Sequence, residues 1–274
     1  MPTREQMWRQ PVQETQKTEN EILNPLDYAM ASRDEDVPIM VRTALEQENC
    51  ILAFQPVVQA GMNDRVVFYE GLIRVKDEHD RIIPAHLFMP GIEETDLGRE
   101  IDAASLRLAL QFLRRNPQLR LSVNVSARSL GDGKWRRVLH QHLMSDDTIG
   151  ERLIMEFSEK SAMMLHEVVQ RFMFEMQSKG VAFALDDFGA GLTAFSHLQD
   201  FFFDIVKIDK GFIHDITNKP DNQVLTAALI SVAHQFDMIA VATGIETEEE
   251  AAILASLGAD CMQGFHIGAP RLRL

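Results

Sequence analysis

Short apolar runs recur along this chain, separated by longer stretches in which apolar residues return at helical spacing. Ile51–Val58 (ILAFQPVV) and Arg65–Val75 (RVVFYEGLIRV) read as strands, and the turn-forming residues Gly61–Asp64 between them make a β-hairpin. Strand and helix then alternate. Leu119–Val125, Leu153–Phe157, Val181–Leu185, Asp204–Ile208, Met238–Ala242 and Cys261–Gly264 read as further strands. Helical spacing predicts helices over Pro38–Glu48, with its proline in the first turn, and over Leu97–Arg115, Ser161–Lys179, Asn222–Phe236 and Thr247–Ser256. Gly180 and Gly258 are stop signals. Eight strands in this alternation favour a closed α/β barrel, although a doubly wound open sheet shows a similar pattern.

The stretch Val181–Phe195 (VAFALDDFGAGLTAF) concentrates the chemistry. Its apolar run reads as a strand buried on both faces. It stops at two adjacent carboxylates, Asp186 and Asp187, followed by the glycine loop Gly189–Gly191. A helix N-cap with solvated acids would explain one aspartate. Two acids at the mouth of a buried strand are costly to desolvate together without a cation.

Composition narrows the choice of ligand. A net charge of −14 disfavours DNA, long RNA and anionic membrane surfaces as partners. A small anionic ligand remains compatible if metal ions and local cations neutralise it. Two distant cysteines, Cys50 and Cys261, give neither a disulfide framework nor zinc spacing, and fit a reducing cytoplasm. No signal peptide or membrane-spanning apolar run is evident. The length, 274 residues, suits one large barrel. Residues 1–36 are polar without clear periodicity. They are expected to form a flexible N-terminal arm, or a linker to a sensor or partner protein, ahead of a barrel domain over residues 37–274.

Polar residues recur where strands end. Glu70 interrupts the second strand. Asn124 ends the third, Glu156 the fourth, Asp186 and Asp187 the fifth and Lys207 the sixth. Glu246 lies just past the seventh and Gln263 ends the eighth. A barrel gathers these ends around one rim. Carboxylates with an Asn carbonyl form a hard oxygen set suited to Mg²⁺ or Mn²⁺, and a shared carboxylate fits a two-metal hydrolytic site. Lys207 among acids should stay protonated, to orient a water or to stabilise charge on a phosphorane. Arg74 is either a bidentate phosphate clamp or a surface salt bridge.

At this point the chain resembles a known family. FQPVV (54–58), YEGLIRV (69–75), SVNVSARSL (122–130), MEFSEKS (155–161), ALDDFGAGLTAFSHL (184–198), DIVKIDKGFI (204–213), VATGIET (241–247) and QGFHIGAP (263–270) are similar, in this order, to the motifs of the EAL family of bacterial cyclic-di-GMP phosphodiesterases. The resemblance covers about residues 38–271. It implies a modified (β/α)8 TIM-type barrel with an antiparallel first strand, in a cytoplasmic bacterial homodimer. It implies that Glu70, Asn124, Glu156 and Asp186 hold a first metal, and that Asp186 and Asp187 belong to a second. Lys207 would contact the attacking water and Glu159 would steady the loop carrying Asp187 and Gly189. Glu246 and Gln263 would complete the site, and Arg74 would hold the dinucleotide. The implied reaction opens one phosphodiester of cyclic-di-GMP to give linear pGpG.

Two positions depart from the family pattern. The signature Glu-Ala-Leu stands here as Glu70-Gly71-Leu72, which loosens the strand but keeps Glu70. In VATGIET, Thr243 stands where the family has a glutamate that is normally a ligand of the second metal. The second site is then left with Asp186, Asp187 and water. The expected function is therefore metal-dependent hydrolysis of cyclic-di-GMP at reduced rate. The alternative is an impaired EAL domain acting as a cyclic-di-GMP receptor or protein-interaction module.

Overall fold

The computed structural model describes residues 25–191 and 198–274. The arm expected over residues 1–36 lies outside the described residues as far as residue 24. From Pro25 the chain is helical, in a helix Pro25–Glu46 that takes in most of the Pro38–Glu48 expectation. Pro38 therefore sits inside a helix and not in its first turn, where it removes one backbone hydrogen bond. The chain divides between Asp36 and Val37, and the barrel lies in Val37–Leu274.

The strands are β1 (Cys50–Gln59), β2 (Met62–Lys76), β3 (Ile82–Pro84), β4 (Leu121–Asn124), β5 (Leu153–Ser158), β6 (Ala182–Phe188), β7 (Ile205–Ile208), β8 (Ile239–Ala242) and β9 (Cys261–Met262). All eight expected strands are present. β3, which the sequence reading did not include, pairs among the described residues with β2, as a short antiparallel addition. The other eight close a ring in the order β1-β2-β4-β5-β6-β7-β8-β9, with β9 returning to β1. Neighbours from β2–β4 round to β8–β9 are parallel. β1 is antiparallel to both β2 and β9. A hairpin whose turn is only Ala60 and Gly61 leaves β1 no other direction, and Gly61 supplies the positive φ (73°) that this turn needs. β2 consequently begins at Met62, inside the stretch read as turn.

Among the described residues two apolar cores result. The larger lies between the strands and the outer helices, and includes Trp135, Phe157, Phe172 and Phe183. The smaller fills the barrel: Val57, Phe68, Ile154, Ala184, Ile205, Val241 and Cys261 pack against one another. Ser122, fully buried and paired with Ile154, is the corresponding residue of β4.

The outer helices differ in how much apolar surface they bury. The helix Asp96–Arg115 starts at Thr95, whose hydroxyl accepts from the Leu97 N–H, and buries an apolar stripe from Leu97 to Leu113. Beyond its end, buried Arg152 donates to the Leu113 and Asn116 carbonyls at 2.7 and 3.2 Å. The helix Gly133–Ser145 was not read from the sequence. Its buried stripe is only Trp135, Leu139 and Leu143 among basic neighbours, and its N-cap is the Asp132 carboxylate. The single helix expected over Ser161–Lys179 is two helices, Glu159–Met164 and His166–Gln177, broken at Leu165 (φ −121°, ψ 42°). The break lets the first piece reach the barrel mouth while Val169, Phe172, Met173 and Met176 of the second pack inward.

Candidate active site at the barrel mouth

A strand turns alternate side chains to the same face, so the barrel filling dictates what lies above it. Counting two residues on from Phe68, Ser122, Ile154, Ala184, Ile205, Val241 and Cys261 gives Glu70, Asn124, Glu156, Asp186, Lys207, Thr243 and Gln263. All seven therefore belong to one inward layer at the C-terminal ends of the parallel strands. β1 runs the other way, so its member lies two residues back from Val57. That residue is Gln55, to which the sequence reading gave no role.

Within this layer the side chains bond directly. Lys207 Nζ donates to Glu70 Oε2 at 2.7 Å and to Glu156 Oε2 at 2.8 Å, and lies 3.9 Å from Asp186 Oδ1. Glu70 also accepts from Asn124 Nδ2 at 2.8 Å and from Gln263 Nε2 at 2.7 Å. Gln263 reaches Gln55 Oε1 at 3.4 Å, and Gln55 donates to the Gly268 carbonyl at 3.1 Å. Glu70, Glu156, Lys207 and Gln263 are buried.

The two aspartates sit where the β6–β7 register slips between Leu185 and Phe188. Asp187 there adopts a left-handed backbone (φ 56°), the kind of local irregularity that re-aims a side chain. The following loop is held from the side. Buried Glu159 accepts from the Gly189 N–H through Oε2 at 3.0 Å. Gly189 itself needs its positive φ of 93°.

Charge crowding decides the protonation pattern. Burial opposes the Lys207 ammonium, but Asp186, Glu156 and Glu70 outweigh it and hold the group well above the ordinary lysine range. Burial pushes Glu70 up, yet the Lys207 charge and its three hydrogen-bond donors bring it below its ordinary value. Glu156 goes the other way: burial, then the Glu70 charge, raise it to about 8. Burial and neighbouring carboxylates also raise Asp186, and raise Asp187 to about 6. Asp209, next to the end of β7 and absent from the sequence-based site, adds to the negative field on both aspartates.

These residues fit a divalent cation. Glu156 Oε1 is buried without a hydrogen-bond partner among the described residues, and the neighbouring carboxyl groups raise one another's pKa. All the donors are hard oxygens. Among the described residues, no three carboxylate, His or Cys side chains are gathered around a single ion position; the Lys207 ammonium stands between Glu70 and Glu156.

Besides Asp187 and Glu159, whose places in the adjoining loop are given above, Glu246 and Arg74 lie apart from this network. Glu246 is exposed; its carboxylate faces His214 Nδ1 at 3.8 Å and its backbone N–H donates to Glu250. It falls beyond the end of β8, at an odd offset from Val241, so the inward layer passes it by. Arg74 has the same parity as Glu70 and lies further up β2, half-buried. Its Nη1 donates to the Ile73 carbonyl, and among the described residues it makes no salt bridge. Thr243 is in the layer, with its hydroxyl donating to the Ile208 carbonyl at 2.7 Å. A groove of about 350 Å³ lined by Ala227, Ile230, Ser231, His234, Gln235, Leu257 and Gly258 shares no residue with the rim. Among the described residues no helix is long and apolar enough to cross a membrane.

Comparison with known proteins places these features in context. The EAL domain family matches residues 40–270. The cyclic di-GMP phosphodiesterase PdeF of Escherichia coli K12 is 31% identical over 250 residues, covering 89% of this chain and 33% of its own length. The cyclic di-GMP phosphodiesterase PdeR of the same organism is 29% identical over 234 residues, covering 84% of this chain and 35% of its own. The chain thus spans about a third of these curated relatives. Among solved structures, the PaMucR phosphodiesterase in its c-di-GMP complex is similar with a TM-score of 0.76 at 26% identity, over 86% of this chain and 97% of that one. The FimX EAL domain from Pseudomonas aeruginosa bound to c-di-GMP gives 0.79 at 25% identity, over 87% and 97%.

Proposed function

Because this chain belongs to the EAL domain family, we propose that it binds cyclic-di-GMP at the barrel mouth and hydrolyses one phosphodiester to linear pGpG. The observation that carries this reading is the buried network of Glu70, Glu156, Lys207 and Gln263, bonded to one another with Asp186 beside it.

Glu70, Asn124, Glu156 and Asp186 would hold a first divalent ion, Mg²⁺ or Mn²⁺, and Asp186 with Asp187 a second. When bound, such ions polarise a phosphoryl oxygen and lower the pKa of a coordinated water. The protein's own groups do the rest. Lys207 keeps its proton, so it orients the attacking water by donating to it and opposes charge building on phosphorus. Gln263 and Asn124 fix both oxygens of Glu70. Glu159 holds the Gly189 loop and with it the direction of Asp187. Arg74, half-buried and in no salt bridge among the described residues, supplies a guanidinium for a ligand phosphate. Glu246, outside the network, is left with at most a peripheral part.

A second reading rests on Thr243. Its hydroxyl is already committed to the Ile208 carbonyl, and it brings no charge to the second-ion side. Losing one such stabiliser lowers rates by about 10²–10³, enough to turn an enzyme into a cyclic-di-GMP receptor. In either reading the chain works in the bacterial cytoplasm, as a homodimer whose segment 1–36 meets a sensor or partner and whose residues 37–274 are the functional domain.

Incubation of the purified chain with cyclic-di-GMP and Mn²⁺, following pGpG, separates these readings. Product that disappears in Asp186→Asn and Lys207→Ala supports the enzyme. Absence of product together with calorimetric binding in Ca²⁺ supports the receptor. Absence of both product and binding sinks both.

A further inference from the structure

Asp102 lies in the helix Asp96–Arg115, ahead of β4 and outside every motif that defines the site. It is buried, and its Oδ2 accepts two hydrogen bonds: from the Ser126 N–H at 2.9 Å and from Ser129 Oγ at 2.6 Å. Both donors belong to the turn that leaves β4 directly after Asn124.

The backbone N–H groups of that turn are accounted for one by one. Val125 donates to the Glu156 carbonyl of β5 at 2.9 Å. Ser126 donates to Asp102. Ala127 donates to Ser161 Oγ at 2.9 Å. Three successive donors are thus held by three separate elements, two of them through side chains. Ser161 belongs to the short helix Glu159–Met164, whose Glu159 holds the Gly189 loop. One frame therefore grips the exit from Asn124 and the loop after Asp187 together.

Asp102 is an expensive residue for a merely structural task. No salt bridge to it occurs among the described residues, and burial pushes its carboxyl up to about 6 despite the two hydrogen bonds. An unpaired buried carboxylate costs free energy, so apolar packing would stabilise this helix better. What the carboxylate adds is direction: a short, charge-assisted pair of bonds to one turn.

We infer that Asp102 is a positioning residue, which through Ser126 and Ser129 sets where the Asn124 carboxamide stands relative to Glu70 and the cation. This rests on the metal-dependent reading given above. Groups that orient a ligand residue from behind commonly contribute 10- to 100-fold, in rough terms, to metal affinity or activity.

The test uses the full chain and Mn²⁺ alone, titrated by calorimetry, followed by steady-state hydrolysis of cyclic-di-GMP. Asp102→Ala should weaken Mn²⁺ binding by about tenfold or more and lower kcat, with KM for the dinucleotide shifting less. Asp102→Asn, whose carbonyl accepts the same two bonds, should restore both to within about threefold of the parent. Ser129→Ala, which removes one donor and keeps the fold, should fall between parent and Asp102→Ala. Parent-like Mn²⁺ affinity in a folded Asp102→Ala, or in Ser129→Ala if the former does not fold, overturns the inference while leaving the function intact. Failure of the parent itself to bind Mn²⁺ defeats the metal-dependent reading and this inference with it.

Discussion

Lys207 Nζ stands 2.8 Å from Glu156 Oε2, with both groups buried and Glu156 Oε1 left without a partner among the described residues. The ammonium thus neutralises part of a carboxylate cluster that still has donor capacity to spare. Removing it exposes how much the fold depends on a cation at this place. Lys207→Met should lower the melting temperature in chelator by roughly 10 °C, since it breaks the buried ion pair of Lys207 with Glu70, a loss of about 3–5 kcal/mol. Mn²⁺ should recover most of that loss, while hydrolysis stays absent. Equal melting in chelator and in Mn²⁺ would count against a cation site among these carboxylates.

Proton release offers a second measure. Glu156 is raised to about 8 and Asp187 to about 6, from ordinary values of 4.5 and 3.8. Between those limits the folded protein keeps protons that the unfolded chain has released, so stability without metal falls as pH rises from about 4 to 8. A cation must displace the proton on Glu156, so Mn²⁺ binding at pH 7 should release about one proton and strengthen toward pH 8. Calorimetry in two buffers of different ionisation enthalpy checks this; a binding heat independent of buffer would refute it.

Thr243 occupies the inward layer between Lys207 and Gln263 but spends its hydroxyl on the Ile208 carbonyl. Thr243→Glu should raise kcat for cyclic-di-GMP on the order of 10²-fold. It should also cost about 1 kcal/mol of stability through the lost hydrogen bond. A kcat unchanged in the variant would mean that the reaction does not draw on a ligand at this position.

The glycines at 71 and 189 should respond differently to alanine. A Cβ at Gly71 would lie 3.3 Å from the Ser122 carbonyl oxygen and 3.4 Å from Leu52 Cδ1, tight but adjustable. Gly71→Ala should therefore change stability by less than about 1 kcal/mol, strand entropy offsetting the squeeze. At Gly189 the backbone has φ 93°, and a Cβ would lie 3.0 Å from both Leu229 and Phe212 side-chain atoms. Gly189→Ala should cost about 1–3 kcal/mol and loosen the bond to Glu159. Chemical denaturation of the two variants side by side measures the contrast, and equal losses would argue against it.

Much of this was legible along the chain. Alternation of apolar runs and helical spacing located all eight barrel strands, because strands covered on both faces read as near-continuous apolar runs. The glycine at the tip of the first hairpin set the direction of β1. Glu70, Asn124, Glu156, Asp186, Lys207 and Gln263 announced themselves as polar residues interrupting such runs. The helix Gly133–Ser145 left too thin an apolar stripe to be read, and Gln55 sat in a strand whose reversed direction puts its inward partner two residues back from the filling layer, not two ahead.

The amino-acid order by itself determined which residues share a face within each strand, since that follows from a period of two. Only the folded chain decided which of them meet. Glu246 and Gln263 both follow a strand end, yet one faces solvent and the other donates to Glu70 at 2.7 Å. Asp102 and Ser126 are far apart in motif and bonded in space. The reason is that contact across a barrel depends on strand stagger and on where a loop bends, and these are set by packing among distant elements that no local pattern encodes.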